Sequence, residues 1–224
     1  MKQVWHDLLF AHWPIPLAEM LPLVPAALEI DCHDGSAWAA VAPFHMSGIR
    51  ARGLPPLPGW SAFPELNVRT YVKYRGVPGV YFFSLDAGNR TAVEMARRGY
   101  WLPYFYSRMQ VDVQKNDEVQ YSSSRVREAA EFRGRYRPTG GVRRRDQGLL
   151  EHFLTERYCL YAVGRSGEVL RGHIHHLPWP LQDAEAQIEC NTVAAAAGIR
   201  LPELPPLLHF AKRLEVLVWW PERV

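Results

Sequence analysis

Glu65, Asn67, Arg69 and Tyr71 alternate along the stretch Phe63-Pro64-Glu65-Leu66-Asn67-Val68-Arg69-Thr70-Tyr71-Val72-Lys73-Tyr74. In a strand, successive side chains point to opposite faces. One face then carries Leu66, Val68, Thr70 and Val72, and the other an acid, an amide, a guanidinium and a phenol in one row. Three arrangements fit this row: it lines a cavity, Glu65 and Arg69 pair as an internal ion pair, or the face meets water. In a cavity, Arg69 is the natural partner of a carboxylate ligand, because its planar fork binds carboxylate through two parallel hydrogen bonds. Glu65 would serve there as an acid or base, its pKa raised by dryness. Asn67 and Tyr71 would orient the ligand.

Other groups compete for a chemical role. Tyr104, Tyr106 and Arg108 alternate after Pro103, and Tyr104 and Arg108 can supply a phenol and a guanidinium to the same cavity or form a core rim. On a strand, His173 and His175 share a face and His176 points away. Two imidazoles on one face can begin a metal site, but Asp183 and Glu185 have no diagnostic spacing for a third ligand. Hydrogen bonding to turn backbone beside Trp179 is the plainer expectation, so no metal and no cofactor are expected. Ser122-Ser123-Ser124 lacks the Gly-x-Ser-x-Gly frame of a serine hydrolase. No phosphate-binding or dinucleotide fingerprint is present. The basic run Arg143-Arg144-Arg145 reads as part of a solvated loop.

Composition narrows the classes. The net charge of +3 over 224 residues is too small to imply a nucleic-acid or membrane partner. Only Lys2, Lys73, Lys115 and Lys212 are available for amine chemistry. Cys32, Cys159 and Cys190 have no metal-ligand spacing and read as free thiols in a reducing cytosol. No run approaches the ~18 apolar residues of a membrane span, and Asp7, His12 and two prolines interrupt any leader-like segment. A soluble cytoplasmic protein is expected, with a small acidic or carbonyl ligand as its partner and homo-oligomers possible.

The elements that would position these residues are mostly strands. Leu8–Trp13 reads as a first strand ended by Pro14, and Pro16–Leu23 as a short helix. Leu28–His33 and Ser36–His45 form a hairpin across His33-Asp34-Gly35. Arg50–Pro64 is a long proline-rich irregular segment, either a binding loop or a rigid connector. The Glu65–Tyr74 strand turns at Arg75–Gly79 into Val80–Asp86, which is apolar on both faces and therefore central. Asn89 caps a helix to Arg98, with Gly99 just past its end. Pro103–Val113 and Val119–Arg125 form a hairpin, and Phe132–Arg137 a further strand. The polar loop Thr139–Gln147 leads to a helical stretch, Gly148–Glu156. Tyr158–Val163 and Val169–His175 form another hairpin. Ala184–Glu189 is a short strand, Cys190–Ala197 a short helix, and Leu207–Phe210 and Leu214–Trp220 the closing strands. About ten strands and four short helices, without βαβ rhythm, repeat or linker, predict one α+β domain over residues 1–224. It is β-rich, with a large antiparallel, cone- or barrel-like sheet enclosing a cavity.

Several of these segments together resemble the YqjF-like family, the domain of unknown function 2071. They are Trp13-Pro14, Phe63 to Val72, Phe82 to Ala87, Leu102-Pro103-Tyr104, Glu156 to Tyr161 and Ile174 to Pro180. The resemblance runs from about Trp5 to the C-terminus. This family is similar to the acetoacetate decarboxylase superfamily, which implies a cone-shaped sheet around a small, partly apolar cavity. In those decarboxylases a helix leads into Gly-x-Pro-Lys-Lys, and one lysine forms a Schiff base with its pKa lowered by charge and dryness. Here the comparable helix leads into Trp101-Leu102-Pro103-Tyr104-Phe105, with Tyr104 and Phe105 where the lysines would stand. The resemblance thus implies a related cavity without Schiff-base decarboxylation, serving either a non-Schiff-base enzyme or a non-catalytic binding protein.

Overall fold

The structure, a computed structural model, describes residues 1–51, 53–55, 61–143, 147–164 and 166–224. Its elements in chain order begin with β1 (Lys2–Ile15), α1 (Leu17–Met20) with a 3-10 turn at Leu21–Leu23, β2 (Glu29–Ile30), β3 (Ala37–Arg50), β4 (Phe63–Tyr74) and β5 (Val77–Ala87). Then come α2 (Arg90–Tyr100), β6 (Tyr104–Val113), β7 (Val119–Arg125), β8 (Glu131–Pro138), α3 (Leu150–Thr155), β9 (Cys159–Val163) and β10 (Val169–His176). The chain ends with β11 (Gln182–Asn191), α4 (Val193–Ala196), β12 (Leu207–Val218) and β13 (Glu222–Arg223).

All strands belong to one sheet, which closes on itself twice. β5, β6, β7, β8, β11, β12, β1, β3 and β4 form a ring of nine strands. A second, smaller ring closes because β9 pairs with β5 and β10 pairs with β12. The strands β12, β1, β3, β4 and β5 are thus a wall common to both rings, and alternation gives each face of the wall its own interior. Leu9, Ala11, Leu66 and Val68 pack with Tyr121, Phe132 and Tyr136 inside the nine-stranded ring. On the opposite face Phe10 and Phe44 meet Trp179 and Val216, while Tyr71 and Phe82 meet Leu160 and Leu170. The polar row of β4 therefore faces the smaller ring.

The strand-rich single sheet agrees with the sequence, and several details differ for physical reasons. The sheet is mixed rather than wholly antiparallel, since β5 runs parallel to both β6 and β9. Parallel neighbours need a crossover, and α2 supplies the one between β5 and β6. Residues Leu28–His33 do not form a full hairpin with β3. Only a bridge between His33 and Ser36 joins them, at Asp34 and Gly35 with φ of 50° and 78°, and β2 pairs with β4 instead. β1 runs on through Pro14. β12 is one strand rather than two: Lys212 pairs with Asp7 at 2.6 Å and Asp117 at 2.8 Å instead of turning the chain. Cys190 belongs to β11, not to the helix after it. Residues 52 and 56–60 of the proline-rich segment, and Arg144 and Arg145 of the basic run, lie outside the described residues. Arg143 pairs with Asp183 at 2.9 Å.

Two glycines show how close approach shapes the sheet. Asn89 caps α2 as expected, accepting from the backbone N–H groups of Thr91 and Ala92. The left-handed position past the helix, however, is taken by Trp101 (φ 54°), not Gly99. Gly99 is needed for packing, since a Cβ there would lie 2.9 Å from the Trp220 ring. At Gly79 a Cβ would lie 2.8 Å from the Cys159 carbonyl oxygen, its Sγ and the Tyr161 ring. β9 can approach β5 only because that side chain is missing. Gly79→Ala is expected to cost about 1–3 kcal/mol, read as a lower urea midpoint with an unchanged slope.

Candidate functional site

Glu65, Asn67, Arg69 and Tyr71 are all at most 8% exposed. The register explains how such long side chains fit. Asn67 stands opposite Ala42 and Arg69 opposite Ala40 on β3, and both alanines are fully buried. On the far side of Ala40 stands His12 of β1. Small residues on the central strand let Arg69 and His12 meet above it. A register shift between Val68 and Arg69, where β5 has an extra residue, sets the turn of the strand at this point.

Arg69 decides how the site can be read. Its guanidinium carbon lies 5.1 Å from the Phe10 ring centroid and 5.9 Å from that of Tyr71. Its Nε has no hydrogen-bond partner among the described residues. Among the described residues no carboxylate lies within ion-pair distance of it, so the expected alternative of a Glu65–Arg69 ion pair is not seen. Glu65 bonds elsewhere: the Tyr104 hydroxyl donates to its Oε2 at 2.9 Å. Burial pushes the Glu65 carboxyl up to about 8, against the lowering effect of that hydrogen bond. Glu65 is therefore largely neutral at pH 7 and does not balance Arg69. A buried cation without a counterion is costly.

Tyr71 is fully buried, with its hydroxyl 2.7 Å from His12 Nε2. Burial raises its pKa, while Arg69 and Arg157 pull it down. His12 is fully buried too, and desolvation, with Arg69 and His209 adding to it, holds its pKa well below the usual value. It is neutral at physiological pH. Arg157 closes this end of the row, 5.2 Å from the Tyr71 ring centroid and 4.3 Å from that of Phe153. Asp31 holds Arg157 at 2.6 Å and Lys73 at 2.7 Å.

Of the residues singled out from sequence, Glu65, Asn67, Arg69, Tyr71 and Tyr104 come together. Arg108 does not join them: it is exposed on β6, in an outer cleft of about 380 Å³ with Ser122, Glu131 and Arg133. A second cleft, of about 370 Å³, is lined by Tyr158, His173, Ile174, His175 and Trp219. Neither touches the Glu65–Tyr71 row. His176 bonds to the Leu177 carbonyl and packs 5.3 Å from Trp179, while His173 pairs with Glu222. Among the described residues no group of three His, Cys, Asp or Glu side chains is placed to hold a metal, and no helix is long and apolar enough to cross a membrane.

His12, Arg157 and Asp31 were not legible as site residues. The signal for His12 is its phase with Phe10 in an otherwise apolar strand; nothing local marks the other two. Lys2 pairs with Glu215 and Lys212 with Asp7 and Asp117, and Lys115 sits in the exposed β6–β7 turn. Lys73 shares the face of the row at its end, already paired with Asp31.

The doubly closed sheet is an acetoacetate decarboxylase-like fold. An acetoacetate decarboxylase-like enzyme from Sphingomonas wittichii RW1 superposes with a TM-score of 0.66, over all of this chain and 92% of that one, at 13% identity. The enduracididine biosynthesis enzyme MppR, complexed with pyruvate, gives 0.67 over 99% and 89%, at 10% identity. Within that fold the chain belongs to the DUF2071 family, described as an uncharacterized conserved protein, whose model matches residues 2–215. It is 49% identical over 220 residues to the uncharacterized protein YqjF of Bacillus subtilis (strain 168), covering 98% of this chain and 90% of that protein.

Proposed function

We propose that the smaller ring binds a small carboxylate, or carboxylate-bearing carbonyl compound, with Arg69 as its anchor. The observation that carries this reading is the buried Arg69 guanidinium, which no carboxylate among the described residues neutralises. An anionic ligand supplies the missing charge, and the dry surroundings strengthen the contact. Asn67 and Tyr71 orient the ligand from the same strand. Glu65 and Tyr104 form the acid–base pair: Glu65 carries a transferable proton at neutral pH, and Tyr104 holds its carboxyl in place. The pyruvate held by the similarly folded MppR is a ligand of this class.

The chemistry is not of the Schiff-base kind in this reading. Three of the four lysines are held in ion pairs and the fourth lies in an exposed turn. The same observation supports a second reading, a protein that binds or senses such a compound without turning it over. Either activity belongs in the cytosol, where the three unbridged cysteines stay reduced.

A thermal-shift screen against pyruvate, acetoacetate and small aromatic acids tests the anchor. The melting temperature is expected to rise by several degrees with at least one of them. The rise should vanish in Arg69→Ala and persist in His175→Ala. A rise that survives Arg69→Ala, or no rise with any acid, rejects the proposal.

A further inference from the structure

Hydrogen-bond accounting around Arg69 says more about the ligand than its charge. Tyr71 has two cations beside it, Arg69 and Arg157, which can only donate. Its hydroxyl hydrogen has one acceptor within reach, His12 Nε2 at 2.7 Å. A neutral imidazole that accepts at Nε2 carries its hydrogen on Nδ1. His12 is fully buried, and its Nδ1 has no partner. The result is a buried N–H donor with nothing among the described residues to receive it. Asn67, 4% exposed, presents the complement: its Oδ1 is buried without a donor. Arg69 Nε is a second unspent donor. Unmade bonds at buried polar atoms are rare in folded proteins, and several on one face mark a place where something else binds.

These atoms belong to one surface. His12 and Arg69 flank Ala40, and Asn67 is the next residue on the same face of β4. A carboxylate can accept from Arg69 and from His12 but cannot donate to Asn67. The group that satisfies both His12 and Asn67 must accept from the first and donate to the second. A hydroxyl does both; a ketone accepts but cannot donate; a methylene does neither.

We infer that the ligand is a carboxylate bearing a hydroxyl group, a hydroxy acid or the enol of a keto acid, with that hydroxyl held between His12 and Asn67. The inference rests on Arg69 being the carboxylate anchor. Tyr71 is a positioning residue in this arrangement, since it fixes which nitrogen of His12 bears the hydrogen.

Two matched series test it on the unaltered protein by isothermal titration: lactate, pyruvate and propionate, then 3-hydroxybutyrate, acetoacetate and butyrate. In at least one series the hydroxy acid is expected to bind about tenfold or more tightly than the deoxy acid, with the keto acid between them. Asn67→Leu and His12→Phe should each abolish that preference. Equal affinities within both series, with binding still lost in Arg69→Met, would overturn the hydroxyl assignment and leave the anchor standing. Absence of binding by all six acids, or binding indifferent to Arg69→Met, would remove the anchor and the inference with it.

Discussion

Asp86→Leu is expected to destabilise the fold by about 3–5 kcal/mol. Arg125→Met should cost less, and the double variant should recover most of the loss. Asp86 and Arg125 form an ion pair at 2.8 Å, with side-chain exposures of 0% and 2%. They lie on the nine-stranded ring's side of the wall, opposite the Glu65 row. Ser123 donates to the other Asp86 oxygen, and the Phe105 ring covers Arg125 at 3.9 Å. The two single variants differ because the partners differ in what they can give up. Burial already raises the Asp86 carboxyl to about 6 despite Arg125. Without Arg125 it rises further and Asp86 takes up a proton, which limits the loss. Arg125 cannot shed its proton, so removing Asp86 leaves a buried charge with only the half-exposed Glu128 at 2.9 Å. The cost of Arg125→Met should also shrink as pH falls through 6, because Asp86 is then protonated in both proteins. Urea melts at pH 5 and 7 read all three effects. Equal costs for the two single variants, or a double variant as weak as Asp86→Leu, would show that the pair does not act as described.

The sequence carried the β4 row well and its surroundings poorly. Strict alternation from Glu65 to Val72 identified the two faces, and the apolar β5 beside it marked the centre of the sheet. That the polar face is enclosed depends on β9, β10 and β12, more than 80 residues later in the chain, where β9 pairs with β5 and β10 with β12 to close the smaller ring. Arg108 continued the period of Tyr104 and so read as part of the site. The strand pairs with β5 only as far as Tyr106, however, and from Ser107 onward pairs with β7, which carries Arg108 away from the row. His12 was hidden for the opposite reason: its phase with Phe10 is a weak local signal, and its partner Tyr71 is 59 residues away. Asp31 and Arg157 are separated by 126 residues and meet only where the ring closes. Strand periodicity is local information, whereas a site inside a closed sheet is assembled by long-range register.

Glu65→Gln should make the protein more stable above pH 5, by an amount that grows with pH to on the order of 5 kcal/mol near pH 8. The sign follows from where the proton resides. The unfolded carboxyl ionises near 4.5, whereas in the folded state burial holds the proton up to about 8. Between these values the folded state binds more protons than the unfolded one, so stability falls as pH rises, by about 1.4 kcal/mol per unit. Below 4.5 both states are protonated and the difference vanishes; above 8 it levels off. Glutamine keeps an acceptor for the Tyr104 hydroxyl and has no proton to lose, so the variant lacks this slope. Subtracting the two stability profiles from pH 4 to 9 cancels other groups, Asp86 among them, and isolates Glu65. Infrared spectra should show the carbonyl stretch of a buried protonated carboxyl at pH 7 in the parent and not in the variant. A flat difference profile, or one that favours the parent as pH rises, would mean that Glu65 is ionised in the folded protein and pairs with the Arg69 charge through the interior. The expected slope means that the chain retains an acid at 4% exposure where an isosteric amide would be more stable.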